Sequence, residues 1–385
     1  MYSFSQTDPQ PAFRNNFGQC CYGGGKPRHR EVAGASLGER IDPAYREVVE
    51  NAHAFLVDAA RRVGRVDRSA ILSGADGRLR ADVFEQLAAP LVRQTQHCLQ
   101  GLEREGARLD PALVPSHRDF AQRALHPLIL SAPFVFRSYA KPLGYAGDYC
   151  MVNQIVDDPR QGPSTYFQIV NVAFLQSAVA IAHRNRIDLL LAFLVRQAER
   201  ARRAGRPARV LNVGCGPAVE MQRFLSTYAE PEWLSFELVD FNLETLRWTR
   251  DRLARIQRQR GSAVSIAYTH ESVQRLLKHR PAASAQDEHG YDALYCAGLF
   301  DYLSDKICAR LTARFAARAT PGASLLLTNV HRSNPTRYCM EHLLDWHLMH
   351  RDEAGLDALL PAQARQRRLY LDNTGVNVLA EATLA

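Results

Sequence analysis

The chain has 385 residues, 46% of them hydrophobic and 23% charged, which places it among globular proteins of two or three domains and away from disordered chains. Its longest unbroken apolar run, Leu189 to Val195, is too short to cross a bilayer, and Met1 to Asn16 lack the basic-then-apolar build of a secretory signal. A cytoplasmic protein with no membrane partner is therefore expected, and its net charge of +8 rests on 44 arginines and only four lysines.

Residues 1–39 carry Gly23-Gly24-Gly25, several prolines and little periodicity, and read as a flexible N-terminal segment. From 40 to 132 the pattern is helical. Apolar residues recur at three- and four-residue spacing over 41–63, 81–105 and 113–130, with Pro111, Pro115 and Pro127 breaking or kinking the run. Residues 133–177 open on alternating aromatics, glycines and prolines, the composition of a structured lid or substrate loop, and continue into a helix from Tyr166. A long helix over Ala178–Ala204 begins the last segment, 178–385. Short apolar runs then alternate with helical patterns: 209–213, 234–239, 264–268, 293–296, 324–328 and 369–380. That alternation predicts an α/β domain with a parallel sheet covered on both faces.

The arginine-dense stretches 196–209 and 250–260 fall on helical patterns with apolar residues between them, so they read as solvated helix faces. With neither an aromatic RNA-binding signature nor zinc-finger spacing, a nucleic-acid partner is not expected. The eight cysteines show no CxxC pair, and no His/Asp/Glu cluster has ligand spacing, so no metal is expected.

The most informative stretch is Val210-Leu-Asn-Val-Gly214-Cys-Gly216-Pro-Ala-Val-Glu220, an apolar strand entering a glycine turn before a helix. Gly214 permits the sharp turn and Gly216 a close backbone approach to a ligand. A dinucleotide fingerprint would place a third glycine at Val219, so a pyrophosphate site is disfavoured. The next apolar run ends in Asp240, 24 residues after Gly216, where a carboxylate is placed to accept both hydroxyls of a ribose. Together the two features point to a nucleoside-type ligand.

With VLNVGCGPA (210–218), LVDFN (238–242), YDALYCAGLFDYLSD (291–305) and Pro321-Gly322 before 324–328, the sequence resembles the class I S-adenosylmethionine-dependent methyltransferases over about residues 180–385. The resemblance implies a Rossmann-like sheet of seven strands, the last antiparallel through a hairpin around Asn373-Thr-Gly375, preceded here by an all-helical domain. It implies S-adenosylmethionine as the cofactor. Gly214, Cys215 and Gly216 would pass against its methionine part, and Asp240, with Phe241 and Asn242 beside it, would hold the ribose. Glu271 and Ser272 would lie near the adenine, and Cys296, Ala297 and Gly298 would line the floor. The departure is Ala218, where many members have a third glycine.

KPLGYAGDY (141–149), AHRNRID (182–188) and SNPTRYCMEHLLDWHL (333–348) are similar to a narrower bacterial subfamily of 3-hydroxypalmitic acid methyl ester biosynthesis proteins, which also includes enzymes that cyclise S-adenosylmethionine to azetidine-2-carboxylate. That subfamily often has Glu where Cys150 stands here.

Methyl transfer from a sulfonium is an in-line displacement that gains chiefly from alignment. Tyr145, Asp148 and Tyr149 are the candidates to cover the cofactor, with aromatic faces offering cation–π stabilisation to a sulfonium. One residue of the set His183, Arg184, Asn185 and Arg186 is placed to clamp the cofactor's carboxylate, with Arg184 the choice. Asn329 and His331, just past the 324–328 strand, are candidates for the acceptor. The expected activity is methyl transfer to a small acidic or hydroxylated metabolite, a 3-hydroxy fatty acid carboxylate among the candidates. The alternative is cyclisation of S-adenosylmethionine with release of methylthioadenosine, and a third class is a cofactor-sensing regulator.

Overall fold

The computed structural model describes residues 41–68, 78–278 and 290–385; the expected flexible segment 1–39 lies outside them. Asp42 starts α1 (Pro43–Asp67), its carboxylate accepting the backbone N–H groups of Ala44 and Tyr45 while Pro43 occupies the first turn. Tyr45, Val49, Ala52, Leu56, Ala59 and Val63 form its buried stripe. Against it pack α2 (Ala81–Gly106) and α3 (Val114–Ile129), the latter with Pro115 in its first turn and Pro127 near its end. Helix α6 (Thr165–Leu175) is buried on nearly every side, as its all-round apolar sequence requires.

Between α3 and α6 the chain departs from the expected loop. Pro133–Ala140 forms α4 and Tyr149–Val156 forms α5, each two turns long, and only 141–148 between them is irregular. The physical reason is local. Pro133 presets the first turn of α4, and the Asp148 carboxylate accepts Met151 N–H at 2.9 Å to cap α5.

Helix α7 (Ala178–Ala204) leads into the sheet and stops at Gly205, whose φ of 66° lets its N–H close on the carbonyls of Ala201 and Arg202. Seven strands follow: β1 (Ala208–Val213), β2 (Leu234–Asp240), β3 (Ile266–His270), β4 (Tyr291–Ala297), β5 (Ala319–Val330), β6 (Arg365–Leu371) and β7 (Asn377–Thr383). Their order is β3-β2-β1-β4-β5-β7-β6. β7 runs antiparallel to both its neighbours and the other neighbouring strands pair in parallel. This is a Rossmann-like sheet of the class I methyltransferase type behind a helical region. Strand β5 is longer than expected, absorbing Pro321-Gly322 into its start.

Helices α7, α8 (Val219–Thr227) and α9 (Leu243–Arg260) cover one face of the sheet over Val210, Phe236, Leu238, Ala293 and Tyr295. On the other, α11 (Asp305–Ala316) and α13 (Glu353–Asp357) pack over Leu211, Val213, Leu294, Leu325 and Leu327, with the short α10 (Val273–Lys278) alongside. The chain leaves β1 toward β2 on one side and β4 toward β5 on the other, so a crevice opens at the carboxyl ends of β1 and β4.

One segment crosses back. Helix α12 (Arg337–Leu343), after β5, places Cys339, Met340, Leu343, Leu344 and Trp346 in the core of the helical layer. Residues 345–350 after it are extended rather than helical, because Asp345 adopts φ 50° and turns the chain out of the helix. Asp345, Trp346 and His347 therefore lie on a strap outside any helix.

Candidate functional site

Strand β1 delivers Gly214 and Gly216 to the crevice. The N–H groups of Gly214 and Cys215 both reach Val239 O, at 2.8 and 3.1 Å, which fastens the turn to β2. Gly216 has φ +52°, and a side chain added there would meet nothing within 4 Å, so its α-carbon faces open space. Asp240 ends β2 6% exposed, with Oδ2 accepting Gly216 N–H at 3.0 Å and Oδ1 accepting Asn242 N–H at 2.9 Å. Burial pushes this carboxyl above its ordinary value and the backbone N–H groups pull it back. Asn242 in turn caps α9 by accepting Thr245 N–H at 2.9 Å.

Phe241 stays about half exposed at the mouth of the crevice, and the Tyr145 ring lies 4.9 Å from it across the 141–148 turn. Burial raises the Tyr145 phenol, whose hydroxyl faces Thr245, so it stays protonated. Glu271 joins the group through its N–H on Asp240 O at 3.0 Å, while its carboxylate lies 3.4 Å from Arg275. Ser272 Oγ accepts Arg275 N–H. Cys215 and Cys296 have thiols pushed well up by burial, which makes them apolar walls rather than nucleophiles. Ala297 and Gly298 close β4, with Gly298 N–H on Thr328 Oγ1 at 3.2 Å. The structure thus gathers Tyr145, Gly214 to Gly216 and Asp240 to Asn242 with Glu271 at one end of the sheet.

Other candidates are engaged elsewhere. Asp148 receives Arg137 Nε on both oxygens, at 2.8 and 3.0 Å, besides capping α5. Tyr149 donates to Glu244 at 2.9 Å and packs 5.2 Å from Trp248, docking the turn on α9. Arg184 donates to the carbonyls of Ile155 and Leu175, at 3.0 and 2.9 Å, tying α5 and α6 to α7. Asn329 is spoken for on both ends, donating to Met349 O at 2.8 Å and accepting from Arg351 at 2.6 Å. His331 lies between Ser333 and Glu353, at 2.6 and 3.2 Å. Among the described residues no three His, Cys, Asp or Glu side chains gather as a metal site.

Besides Arg186 and His183, which the sequence analysis weighed but did not choose, several groups it did not single out sit at the crevice. Arg186 is 6% exposed, and its guanidinium lies 3.1 Å from where a side chain on Gly298 would begin. It contacts the ring of His183, which burial and two neighbouring guanidiniums hold neutral. Asp301 stands 3.9 Å from Arg186, accepts Val330 N–H at 2.6 Å, and is pushed up to about 6 by burial. Tyr302 is partly exposed, and its hydroxyl accepts Trp346 Nε1 at 3.0 Å, close under Gly147. Lys141, itself at φ 48°, anchors the turn by donating to Asp345 O at 2.6 Å. None of these has a local signal: each depends on helix phase or on a contact between segments far apart in the chain.

No protein-family model and no curated protein sequence matches the chain. Among solved structures, it is similar to a possible exported protein from Bordetella parapertussis at 16% identity and TM-score 0.46, over 91% of this chain and 97% of that one. It is also similar to magnesium protoporphyrin IX methyltransferase from Synechocystis with bound S-adenosylhomocysteine (12% identity, TM-score 0.43, 65% of this chain and 98% of that one). A third similarity is to the N-methyltransferase NodS from Bradyrhizobium japonicum, at 13% identity and TM-score 0.36, over 52% of this chain and 87% of that one.

Proposed function

We propose that the chain is an S-adenosylmethionine-dependent enzyme that transfers a methyl group to a small acidic or hydroxylated metabolite. The observation that carries this reading is the pairing of Gly216, open to the crevice, with the buried Asp240 carboxylate hydrogen-bonded to its N–H. The two backbone N–H groups it accepts favour the ionised form of this acid, which keeps lone pairs to receive a vicinal diol. The space over Gly216 is open, so a ligand can pass close to the backbone there, and both features suit an adenosyl group.

In this reading Gly214, Cys215 and Gly216 carry the chain past the ligand, Asp240 and Asn242 frame the ribose end, and Phe241, Glu271 and Ser272 the base. Cys296, Ala297 and Gly298 form the floor. Tyr145 covers the opening, with its face available to a sulfonium. Asp148, Tyr149 and Arg184 act as positioning residues: they fix the turn and α7 through Arg137, Glu244 and two carbonyls. When bound, the donor supplies an electrophilic methyl carbon. A carboxylate acceptor needs only alignment with it, and Tyr302, whose hydroxyl lies close under Gly147, is the side chain placed to line its approach.

The test is product analysis with the purified full chain. Accumulation of S-adenosylhomocysteine that depends on an added 3-hydroxy fatty acid or related acid supports the reading. Methylthioadenosine formed from S-adenosylmethionine alone replaces transfer by cyclisation, and failure to bind the donor at all overturns both.

A further inference from the structure

Helix α9 buries Thr245, Leu246, Thr249, Leu253 and Ile256 and exposes six arginines: Arg247, Arg250, Arg252, Arg255, Arg258 and Arg260. An arginine-rich helix is ordinarily a solvated face, but this one is set apart by what its arginines lack. Elsewhere arginines pair with carboxylates repeatedly, Arg137 with Asp148, Arg206 with Asp292 and Arg351 with Asp305 among them. Among the described residues none of the six on α9 does so. Arg252, Arg255 and Arg260 donate to an amide or main-chain oxygen, and Arg250 lies 4.9 Å over the Tyr268 ring. Arg247 and Arg258 meet no partner among the described residues. Of the two acids on the helix, Glu244 is taken by Tyr149 and Asp251 pairs with no guanidinium.

This charge does nothing for the fold. Arg247 and Arg250, Arg252 and Arg255, and Arg255 and Arg258 are like-charged neighbours three residues apart, which weakens a helix. The face also has an apolar end. Leu243, 42% exposed, lies one turn before Arg247 on the same side of the helix, and Phe241 stands beside it at the mouth of the crevice. Exposed apolar side chains flanked by guanidiniums have the make-up of a protein interface, and a guanidinium pairs carboxylates in a bidentate way. A nucleic-acid duplex has phosphates for the arginines but no apolar surface for Leu243. A bilayer calls for a row of apolar side chains along the helix, and here the exposed residues that follow Leu243 are all charged or amides.

We propose that the outward face of α9 is the docking site of an acidic protein, whose carboxylates pair with Arg247, Arg255 and Arg258 and whose apolar spot covers Leu243 and Phe241. The arginines hold the partner along the helix, and the apolar end sets its register. Because that end stands at the crevice mouth, a docked partner lies at the opening and bears on what enters it. Arg250, stacked on Tyr268, borders the same face with its guanidinium held in place.

The probe is a labelled alanine-based peptide of about 20 residues, long enough to hold a helix, with glutamates along one face and two leucines at one end. Fluorescence anisotropy with the full chain should show saturable binding that weakens about tenfold or more between about 0.05 and about 0.5 M salt. The same peptide with glutamine for glutamate should bind at least about tenfold more weakly. Arg247→Glu, Arg255→Glu and Arg258→Glu combined should cost about tenfold or more, because three attractions become repulsions. The three Arg→Gln changes should cost less, and they serve in place of the reversal if it does not fold. Leu243→Ser should cost about threefold with this peptide and nothing with one lacking leucines. No binding at low salt, equal binding of the glutamate and glutamine peptides, or full affinity in a folded triple variant overturns the proposal. Tighter binding of phosphatidylserine vesicles, a DNA duplex or a single-stranded oligonucleotide than of the acidic peptide, lost in the same variants, overturns it too, since phosphate would then be the occupant. None of these measurements involves S-adenosylmethionine, so their failure leaves the adenosyl reading standing.

Discussion

Two glycines of the same turn separate folding from binding. Gly214 has φ +73°, and a Cβ there would sit 3.1 Å from Leu299 Cβ; Gly216 has φ +52° and would meet nothing. Alanine in the left-handed region costs roughly 1–2 kcal/mol, of which the reduced freedom of the unfolded chain returns about 0.4–1. Gly216→Ala should therefore destabilise by about 1 kcal/mol, and Ala218 two residues on, at φ 47°, shows that the fold tolerates such a residue. Gly214→Ala adds an overlap that Leu299 must relieve, about 1–3 kcal/mol more. Thermal melts should then place Gly216→Ala about 2 °C below wild type and Gly214→Ala several degrees lower still. Calorimetry with S-adenosylhomocysteine should show the opposite emphasis: Gly216→Ala folds and binds at least about tenfold more weakly, because its methyl occupies the ligand's path. Wild-type affinity in Gly216→Ala would show that nothing passes over that residue, and the account of the crevice would fail.

Asp301 makes a pH prediction. Its carboxyl is held at about 6 in the fold, above the ordinary 3.8, so the native state binds this proton more tightly than the unfolded chain. Its contribution is complete below about pH 4 and is lost as pH rises through about 6, on the order of 3 kcal/mol, and urea melts across that window should show Asp301→Asn without the decline. Arg184→Met strips two carbonyls of their donor and should lower stability by about 2 kcal/mol in the same assay, with S-adenosylhomocysteine affinity within about threefold of wild type. Asp148→Asn keeps the cap on α5 but loses the Arg137 pair; a drop of about 1–2 kcal/mol in stability is expected, and a folded protein with no donor affinity would assign the carboxylate a direct role. Tyr145→Ala removes the ring facing Phe241 and should weaken donor binding several-fold by calorimetry with little change in melting temperature.

The sheet was legible because its signals are local. An apolar run entering Gly214-Cys-Gly216, an acid closing the next run at Asp240, and the Asn373-Thr-Gly375 hairpin each occupy a few consecutive residues. Helices α1, α2, α3 and α7 announced themselves by period. Helices α4 and α5 did not, since two turns carry too few residues for a stripe and their glycine- and proline-rich flanks imitate a loop. The choice among residues 183–186 shows the limit best. Successive residues point about 100° apart on a helix, so Arg184 and Arg186 face different neighbours, and only the packing of α7 sets which one meets the crevice.

The return of α12 into the helical layer has a consequence for biosynthesis. Tyr45 bonds His342, Glu103 accepts Cys339 N–H, and Gln122 and His126 reach the carbonyls of His342 and Leu343. The helical layer precedes β5 and α12 in the chain and therefore lacks a wall until they have been synthesised. A fragment ending after α6 would inherit that bare surface permanently, so the two halves mature as one cooperative body and the amino-terminal helices are poor candidates for excision or transplantation.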